Sequence, residues 1–248
     1  NPLGLLLAGI GATAYIAARV NDAFGEEIRR ELLEREKREA REEAEEAERE
    51  RREAAQPKKS SSILDPRIRT FDKQGYDFMA EGDFLLARAT SGAPLEVHVR
   101  QGPGDGTCSN VTYNRGVATQ GGDVRVSAYV DDPESTIRVD GQIYDLPAKS
   151  SIFLENGTIL HGVLDSRSVV VYPSGDSLTI SKKPGIRLNL YLSVNDSRAG
   201  ALEGLVGNFN SDSSDDIRIR GGRVLEEPVD WDVLYGEFRE SWLLSAEE

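Results

Sequence analysis

The feature that most constrains the fold is a change of hydrophobic period at about residue 63. From there to residue 248, short runs alternate apolar with polar residues, and Asp, Gly, Pro and Asn turns separate them. Side chains of a β-strand point to opposite faces in turn, so this alternation is typical of strands with one buried face. The spacing predicts a mainly β domain over 63–248, an antiparallel sandwich or barrel. The clearest runs are LEVHVRQ (95–101), DVRVSAYV (123–130), TIRVDGQIYDL (136–146), SVVVYP (168–173), SLTISK (177–182) and IRLNLYLSV (186–194).

Two dipeptides inside this region predict tight connections between neighbouring strands. They are the DG at 140–141 and the NG at 156–157. Hairpin turns of two residues need positive φ angles that Asn, Asp and Gly adopt most readily. We therefore expect antiparallel hairpins at both places.

Residues 3–20, LGLLLAGIGATAYIAARV, carry no charge until Arg19. An apolar helix of about 20 residues can cross a bilayer, so this run predicts a transmembrane helix. Gly4, Ala8 and Ala12 place small side chains on one helix face, where another subunit's membrane helix can approach closely. A hydrophobic helix buried in a soluble complex and an uncleaved signal-like region remain alternatives.

Basic residues follow the predicted span and none precede it. This bias predicts a single-pass protein with its β domain on the cytoplasmic or stromal-type side. An extracellular or luminal location is the alternative.

Residues 21–55 are almost wholly Glu, Arg and Ala, which are strong helix formers. Glu precedes Arg by four positions at 26/30, 31/35, 34/38, 45/49 and 48/52, the order that stabilises a helix. The pattern predicts a charged α-helix that serves as a spacer or docks on other subunits. A solvated single helix is favoured over a coiled coil, since only alanines keep the heptad-like spacing beyond Leu33. QPKKSSS, residues 56–62, predicts a linker.

Composition argues against several classes of protein. The net charge of −13 lacks the basic footprint expected of a nucleic-acid-binding protein. Cys108 is the single cysteine, so no intrachain disulfide can form, and with His98 and His161 it cannot make a clustered Cys/His zinc site. The sequence has no HExxH, CxxC, GxSxG or Walker-type motif, so we predict neither an enzyme nor a small-molecule substrate.

The run GLVGNFNSDSSDD, residues 204–216, concentrates oxygen-bearing side chains in one short loop. Calcium takes six to eight oxygen ligands from carboxylates, amides and carbonyls, often from a single loop. The residues alone leave two interpretations open, a solvated polar loop and a cation site. The candidate ligands within it are Asn208, Asn210, Asp212, Asp215 and Asp216.

Three motifs, in order, give residues from about 64 to 248 a specific resemblance to the von Willebrand factor type D domain. DPRIRTFDKQGYDFMAEGDFLLARA (65–89) is similar to the family's opening, GLVGNFNSDSSDDIRIRGG (204–222) to its Gly-Asn-Phe signature, and ESWLLSAEE (240–248) to its closing stretch. The first 62 residues resemble no family.

The resemblance implies a β-sandwich-like, non-enzymatic module of assembly and adhesion that carries calcium. It adds Asp72 to the ligand set, so that Asp72, Asn208, Asn210, Asp212, Asp215 and Asp216 would clamp the start of the domain to its end. Gly82 and Val206 stand where animal members usually have cysteines, which implies a disulfide-free form. Lys73 replaces the usual glycine after Asp72.

Together these features predict a membrane-anchored structural protein that presents a calcium-stabilised β domain, as a subunit or accessory of a larger membrane assembly. The alternative is a soluble or secreted adhesion module whose apolar N-terminus packs against protein. A hydrolase that uses the carboxylate cluster is disfavoured, because no nucleophile or base is arranged beside it.

Overall fold

The computed structural model describes residues 33–42, 44–45, 58–104 and 111–245. The chain divides into two units at Gln56 and Pro57. In the first unit, residues 33–42 and 44–45 are helical and exposed, with ion pairs Arg35–Glu39 and Arg41–Glu45 along the surface. The predicted span at 3–20 and the rest of the predicted charged helix at 21–55 lie outside the described residues. None of the helices that the structure describes is apolar and long enough to cross a bilayer.

The second unit confirms the mainly β prediction, with two antiparallel sheets. The eight-stranded sheet has the order β10-β11-β12-β13-β14-β1-β2-β3, and its strands are β1 (Lys58–Ile63), β2 (Arg67–Arg69), β3 (Gly75–Asp77), β10 (Ser150–Phe153), β11 (Ile159–Leu164), β12 (Arg167–Val171), β13 (Ser177–Lys183) and β14 (Arg187–Val194). The seven-stranded sheet has the order β15-β4-β5-β6-β7-β8-β9, and its strands are β4 (Gly82–Ala89), β5 (Glu96–Pro103), β6 (Thr112–Gly121), β7 (Val124–Tyr129), β8 (Thr136–Val139), β9 (Gln142–Asp145) and β15 (Leu202–Glu203).

Short helical turns complete the unit. Asp196–Arg198 and Ser213–Asp215 are 3-10 helices. Near the C-terminus, α1 (Trp231–Val233) continues through a π-helical turn (Leu234–Phe238) into α2 (Arg239–Trp242).

The alternation that predicts the strands also explains the core. Along β13 and β14, buried and half-exposed residues alternate, so each strand turns one face inward. Both predicted hairpins are confirmed: Asp140 and Gly141 have positive φ angles of 48° and 81° between β8 and β9, and the NG at 156–157 joins β10 to β11. The apolar faces meet in one hydrophobic core.

A buried amide links the two sheets. Asn114 in β6 donates through Nδ2 to the Ser62 carbonyl oxygen at 3.0 Å, to Ser62 Oγ at 2.9 Å and to the Leu188 carbonyl oxygen at 3.3 Å. Ser62 lies in β1, which pairs with β14 and β2. The interpretation of 56–62 as a linker is therefore wrong for residues 58–62, which belong to the sheet. The polar run is compatible with a strand because its inward serines are small, and Ser62 is hydrogen-bonded.

A second buried polar contact ties together three connections. Asp176 and Arg198 form an ion pair at 2.6 Å, with side chains 0% and 3% exposed. Arg198 Nη1 also donates to the Ala93 carbonyl oxygen at 2.6 Å. Asn195 donates through Nδ2 to the Ser174 carbonyl oxygen at 2.9 Å and so joins the same network. The loops that follow β4, β12 and β14 are thereby fixed to one another.

Removing one partner of this pair should cost far more than removing an exposed one. Arg198→Met leaves the Asp176 carboxylate buried without its counter-charge, so we expect a loss of about 3–5 kcal/mol in the free energy of unfolding. Arg100 pairs with Asp83 at the surface, and Arg100→Met should lose less than about 1 kcal/mol. Urea denaturation of both variants measures the difference. Equal losses would contradict the buried pair's role.

Candidate functional site

The acidic loop and the TFD turn meet as the resemblance implies. Asp72 lies in the connection between β2 and β3, and the loop follows β15. The Val206 carbonyl oxygen accepts from the Phe71 N–H at 3.3 Å, and the rings of Phe71 and Phe209 pack with centroids 5.4 Å apart. These contacts bring Asp72 to the loop.

The loop backbone holds the Asp72 carboxylate with two hydrogen bonds. The N–H of Asn210 donates to Oδ2 at 2.9 Å and the N–H of Ser211 donates to Oδ1 at 3.0 Å. Phe209 and Ser211 have positive φ angles of 56° and 71°, so left-handed residues alternate with ordinary ones here. Such alternation turns successive N–H groups into an anion-binding concavity. Asp72 therefore acts, in this arrangement, as the anion of a backbone nest.

Asp216 is the buried acid of the cluster, with 4% of its surface exposed. Thr70 Oγ1 donates to Oδ2 at 2.5 Å and the Asn208 N–H donates to Oδ1 at 3.3 Å. Burial, with the charges of Asp72 and Asp215, raises the pKa of Asp216 to about 6, although the two hydrogen bonds oppose the rise. Packing thus holds the Asp216 carboxyl close to two other carboxylates, which repel its charged form.

Asp215 is surrounded by donors instead. Asn208 Nδ2 lies 3.1 Å from both of its oxygens, Asn210 Nδ2 lies 3.2 and 3.1 Å from them, and Arg218 Nη2 donates to Oδ2 at 2.6 Å. The two asparagines therefore present amide nitrogens to this carboxylate. The Oδ1 atom of Asn208 is buried without a hydrogen-bond partner.

The structure separates Asp212 from the other candidates. Its Oδ1 accepts from the N–H of Ser214 at 3.0 Å and from Ser214 Oγ at 2.6 Å, which caps the 3-10 turn Ser213–Asp215. The side chain is exposed, and the hydrogen bonds from Ser214 lower its pKa. Asp72, Asn208, Asn210, Asp215 and Asp216 are brought together, whereas Asp212 shapes the turn that positions Asp215.

Gly207 makes the close approach of Asp216 possible. Its φ is +80°, and a Cβ at this position would lie 2.0 Å from Asp216 Oδ1. A groove of about 400 Å³ adjoins the cluster and is lined by Asn208, Asp215, Asp216 and Arg218, together with Glu203, Trp242 and several glycines. The acidic residues therefore border a surface open to solvent.

Two residues of the site were missed at the sequence level. Thr70 stands two positions before Asp72 in the same TFD turn, so its place in that motif was a usable signal. Arg218 follows the acidic run in a strand-like IRIR pattern, and nothing in the sequence shows that it turns back onto Asp215. Its ion pair is decided by the tertiary structure.

The two histidines lie away from the acidic loop. His98 is in β5, where it contacts Glu96, and His161 Nδ1 hydrogen-bonds with Ser151 Oγ at 2.7 Å. Trp242, which lines the groove beside the acidic loop, is buried and donates to the Arg218 carbonyl oxygen at 2.8 Å. Trp231 is exposed and stacks on Tyr235. Cys108 lies outside the described residues.

Comparison with known proteins identifies the class to which this architecture belongs. The model of the von Willebrand factor type D domain matches residues 62–223, so the chain belongs to that family. The human IgGFc-binding protein is 30% identical over 173 residues, which cover 68% of this chain and 3% of that protein. The human sushi domain-containing protein 2 is 28% identical over 179 residues, covering 68% of this chain and 21% of that protein.

The chain therefore spans a small part of the curated relatives' length. The family match ends before the closing stretch ESWLLSAEE. At the two positions where animal members usually carry cysteines, Val206 is fully buried in the core, and Gly82 has a φ of +144° with a Cβ position 2.6 Å from Leu243 Cδ2. Lys73, at the place of the usual glycine, has a φ of 77°.

The close approach at Gly207 can be separated from its backbone angle. Gly122 has a φ of +78° but no atom near its Cβ position, so Gly122→Ala should cost about 1–2 kcal/mol in unfolding free energy for the angle alone. Gly207→Ala has the same unfavourable angle and must also displace Asp216, so we expect it to lose about a further 1–3 kcal/mol of unfolding free energy. Chemical denaturation measures both. Equal destabilisation would show that Asp216 does not depend on a bare backbone at Gly207.

Asp216 should make the domain's stability depend on pH. Because its folded pKa of about 6 exceeds an unfolded value near 4, the folded state holds a proton that the unfolded chain has released. Its contribution is therefore largest below about pH 4 and is lost as pH rises to about 6, by up to roughly 2–3 kcal/mol. Asp216→Asn cannot titrate, so its stability relative to wild type should improve by that amount across the window.

Urea denaturation between pH 4 and 7, in chelator, measures this change. Asp123 is an exposed carboxylate in the turn between β6 and β7, and Asp123→Asn provides the matched control. This variant gives the baseline for loss of an exposed carboxylate. If the difference between Asp216→Asn and wild type changes with pH no more than this baseline, Asp216 does not cause the pH dependence.

Proposed function

We propose that this chain is a non-enzymatic module of adhesion or assembly, which binds other proteins and is stabilised by calcium at the acidic loop. Membership of the von Willebrand factor type D family over residues 62–223 is the observation that carries the proposal. One relative is named for binding the Fc part of IgG, which makes protein recognition the shared activity to expect. The soluble or secreted module is thus favoured over the membrane-anchored subunit.

The residues of the loop fit a calcium ion in their chemistry. Three carboxylates, Asp72, Asp215 and Asp216, come from two distant segments, and Asn208 keeps an amide oxygen buried and unpartnered beside them. Calcium prefers such oxygens and accepts irregular geometry. Burial, followed by the charges of Asp72 and Asp215, raises the pKa of Asp216, and a cation would stabilise its charged form.

Binding would require a local rearrangement. No group of three His, Cys, Asp or Glu side chains in the described ranges is already spaced to hold a metal ion. Arg218 would have to leave Asp215, and the amides of Asn208 and Asn210 would have to turn their oxygens toward the ion. Rotation of an amide side chain costs less free energy than leaving a buried charge unpaired. The carboxylate and amide oxygens would therefore suit an ion that displaces Arg218 from Asp215.

In the proposed role, each residue has a distinct task. Asp72, Asp215 and Asp216 would supply charge, and Asn208 and Asn210 would supply neutral oxygens. Asp212 would hold the turn beside them through Ser214. When bound, calcium would supply an electrostatic cross-link between the β2–β3 connection and the loop after β15, and it would leave the groove beside the loop with a fixed shape for a protein partner.

The extracellular or luminal location fits this proposal better than a cytoplasmic one. IgG, the ligand in one relative's name, is an extracellular protein. The predicted span at residues 3–20 stays a prediction.

Calcium should raise the melting temperature of the chain through the acidic loop. A ligand at 100 times its Kd stabilises the folded state by about 2.7 kcal/mol, which corresponds to roughly 5–10 °C for a domain of this size. Asp72→Asn removes one negative charge and should abolish most of the shift, whereas Asp123→Asn should retain it. Differential scanning calorimetry in calcium and in chelator measures the three proteins.

Identical melting temperatures of wild type in calcium and chelator would overturn the calcium proposal. The binding role has its own test: immobilised wild type in calcium should retain protein partners that Asp72→Asn loses and Asp123→Asn keeps. If all three proteins retain these partners in chelator, partner binding does not depend on calcium. Hydrolytic turnover abolished by Asp215→Ala would instead show an enzyme.

A further inference from the structure

The indole of Trp231 is an exposed aromatic surface that other rings hold in place. Trp231 is 64% exposed, and its ring stacks on Tyr235 with centroids 5.2 Å apart and 16° between the ring planes. Tyr235 stacks in turn on Phe78, with centroids 6.0 Å apart and 13° between the planes. Phe78 is fully buried in the hydrophobic core. A column of three rings therefore runs from the core to the surface and leaves the outer face of Trp231 to solvent.

Hydrogen bonds fix this column at two points. Tyr235 Oη accepts from the N–H of Met79 at 3.1 Å, which fixes the middle ring. Asp230 Oδ1 accepts from the N–H of Asp232 at 2.8 Å and so caps the helical turn that begins at Trp231. Trp231 and Tyr235 are four positions apart along the helical segment, so they share one face. The indole is oriented before any partner binds, which reduces the entropy lost on binding.

The chain around Trp231 is strongly acidic. Residues 225–234 contain no Lys or Arg. Four exposed carboxylates lie within five positions of the indole, namely Glu226, Glu227, Asp230 and Asp232. None of the four forms an ion pair with a described residue, and the nearby Arg223 pairs with Glu237 instead. The described part of the chain therefore leaves the negative charge beside the indole without a counter-charge.

The helix accounts for only two of these acids. Asp230 and Asp232 lie at the N-terminus of the helical turn, where negative charge is favoured. Glu226 and Glu227 precede the cap and have no such role. Glu227 accepts a hydrogen bond from Nε2 of Gln74, which is a neutral donor. The charges of the two glutamates therefore remain available to a cation supplied by another molecule.

An oriented indole beside unpaired carboxylates favours a cationic ligand. A cation over the face of a tryptophan ring is attracted by the quadrupole of the ring. The guanidinium group of arginine is planar, so it can stack on an indole while its N–H groups donate to carboxylates. Tryptophan and arginine are also enriched among the residues that dominate the free energy of protein–protein binding. A neutral sugar ring would stack on the indole but would leave the carboxylates without a counter-charge.

We propose that the outer face of Trp231, together with Glu226 and Glu227, is a docking site for an arginine in a basic segment of a partner protein. The inference rests on the protein-binding function proposed above and states the chemistry of one partner. The site uses no residue of the acidic loop and no calcium ion.

Binding of a tetra-arginine peptide to the full 248-residue chain tests the site. Fluorescence anisotropy of the labelled peptide, in chelator and at about 0.1 M ionic strength, measures the Kd. Trp231→Leu keeps every charge and removes the aromatic ring, so the Kd should rise about three- to tenfold. Trp231→Phe keeps a weaker aromatic face and should recover part of that loss. Thermal melts confirm that each variant is folded.

Removal of charge tests the flanking acids. Glu226→Gln/Glu227→Gln should also raise the Kd about three- to tenfold, because two carboxylates no longer attract the guanidinium groups. Asp123 and Glu155 are exposed carboxylates in two other hairpin turns. Asp123→Asn/Glu155→Gln therefore makes the same change in net charge and is the matched control, for which the Kd should change less than about twofold.

The proposal would be overturned if wild type did not bind the peptide, if Trp231→Leu bound it as tightly as wild type, or if both double variants lost affinity equally. Binding of the neutral sugar maltotetraose that depends on Trp231, with peptide binding unchanged in Trp231→Leu, would show a carbohydrate site instead. The melting temperature in calcium and the retention of partners by Asp72→Asn are measured separately. Failure here therefore leaves the proposed function standing, and the two failures are distinguishable.

Discussion

The structure of the site depends on the carboxylate of Asp72 and the two backbone N–H groups that hold it. Asn210 and Ser211 follow Asp72 in the chain by 138 and 139 positions. Asp72 comes after the second strand, and the two loop residues come after the last strand. Bringing together segments so far apart in the chain costs conformational entropy. Most of this entropy is already lost when the intervening chain folds into the two sheets. The left-handed angles at Phe209 and Ser211 are maintained because Phe209 is buried and the N–H groups have a fixed acceptor.

The same contact creates an electrostatic tension. Asp72 and Asp215 lie near Asp216, whose burial disfavours its charge. Arg218 and the amides of two asparagines offset the charge of Asp215, and Thr70 offsets part of that of Asp216. A cluster balanced in this way holds the loop through hydrogen bonds, and a proton or a cation can take up its remaining negative charge. This links the burial of one acid to the proposed calcium dependence.

Much of the fold follows from local pattern. Alternation along β13 and β14 and the turn residues Asp140 and Gly141 predict strands and a hairpin that the structure contains. Strand β1 is not predictable in this way, because KKSSSI is polar. Inside the sheet, Asn114 from another strand hydrogen-bonds Ser62, whereas the hydroxyl of Ser60 is buried without a partner.

By itself, the sequence determined the class of fold, the family and the two segments whose acids meet, because hydrophobic period, turn chemistry and the family motifs are local properties of the chain. Only the tertiary structure decided that Asp212 caps a turn, that Arg218 pairs with Asp215 and that Gly207 admits Asp216. These contacts join residues only two to nine positions apart, but their geometry follows from the conformation of the loop, which Asp72 and Thr70 of a distant segment hold in place.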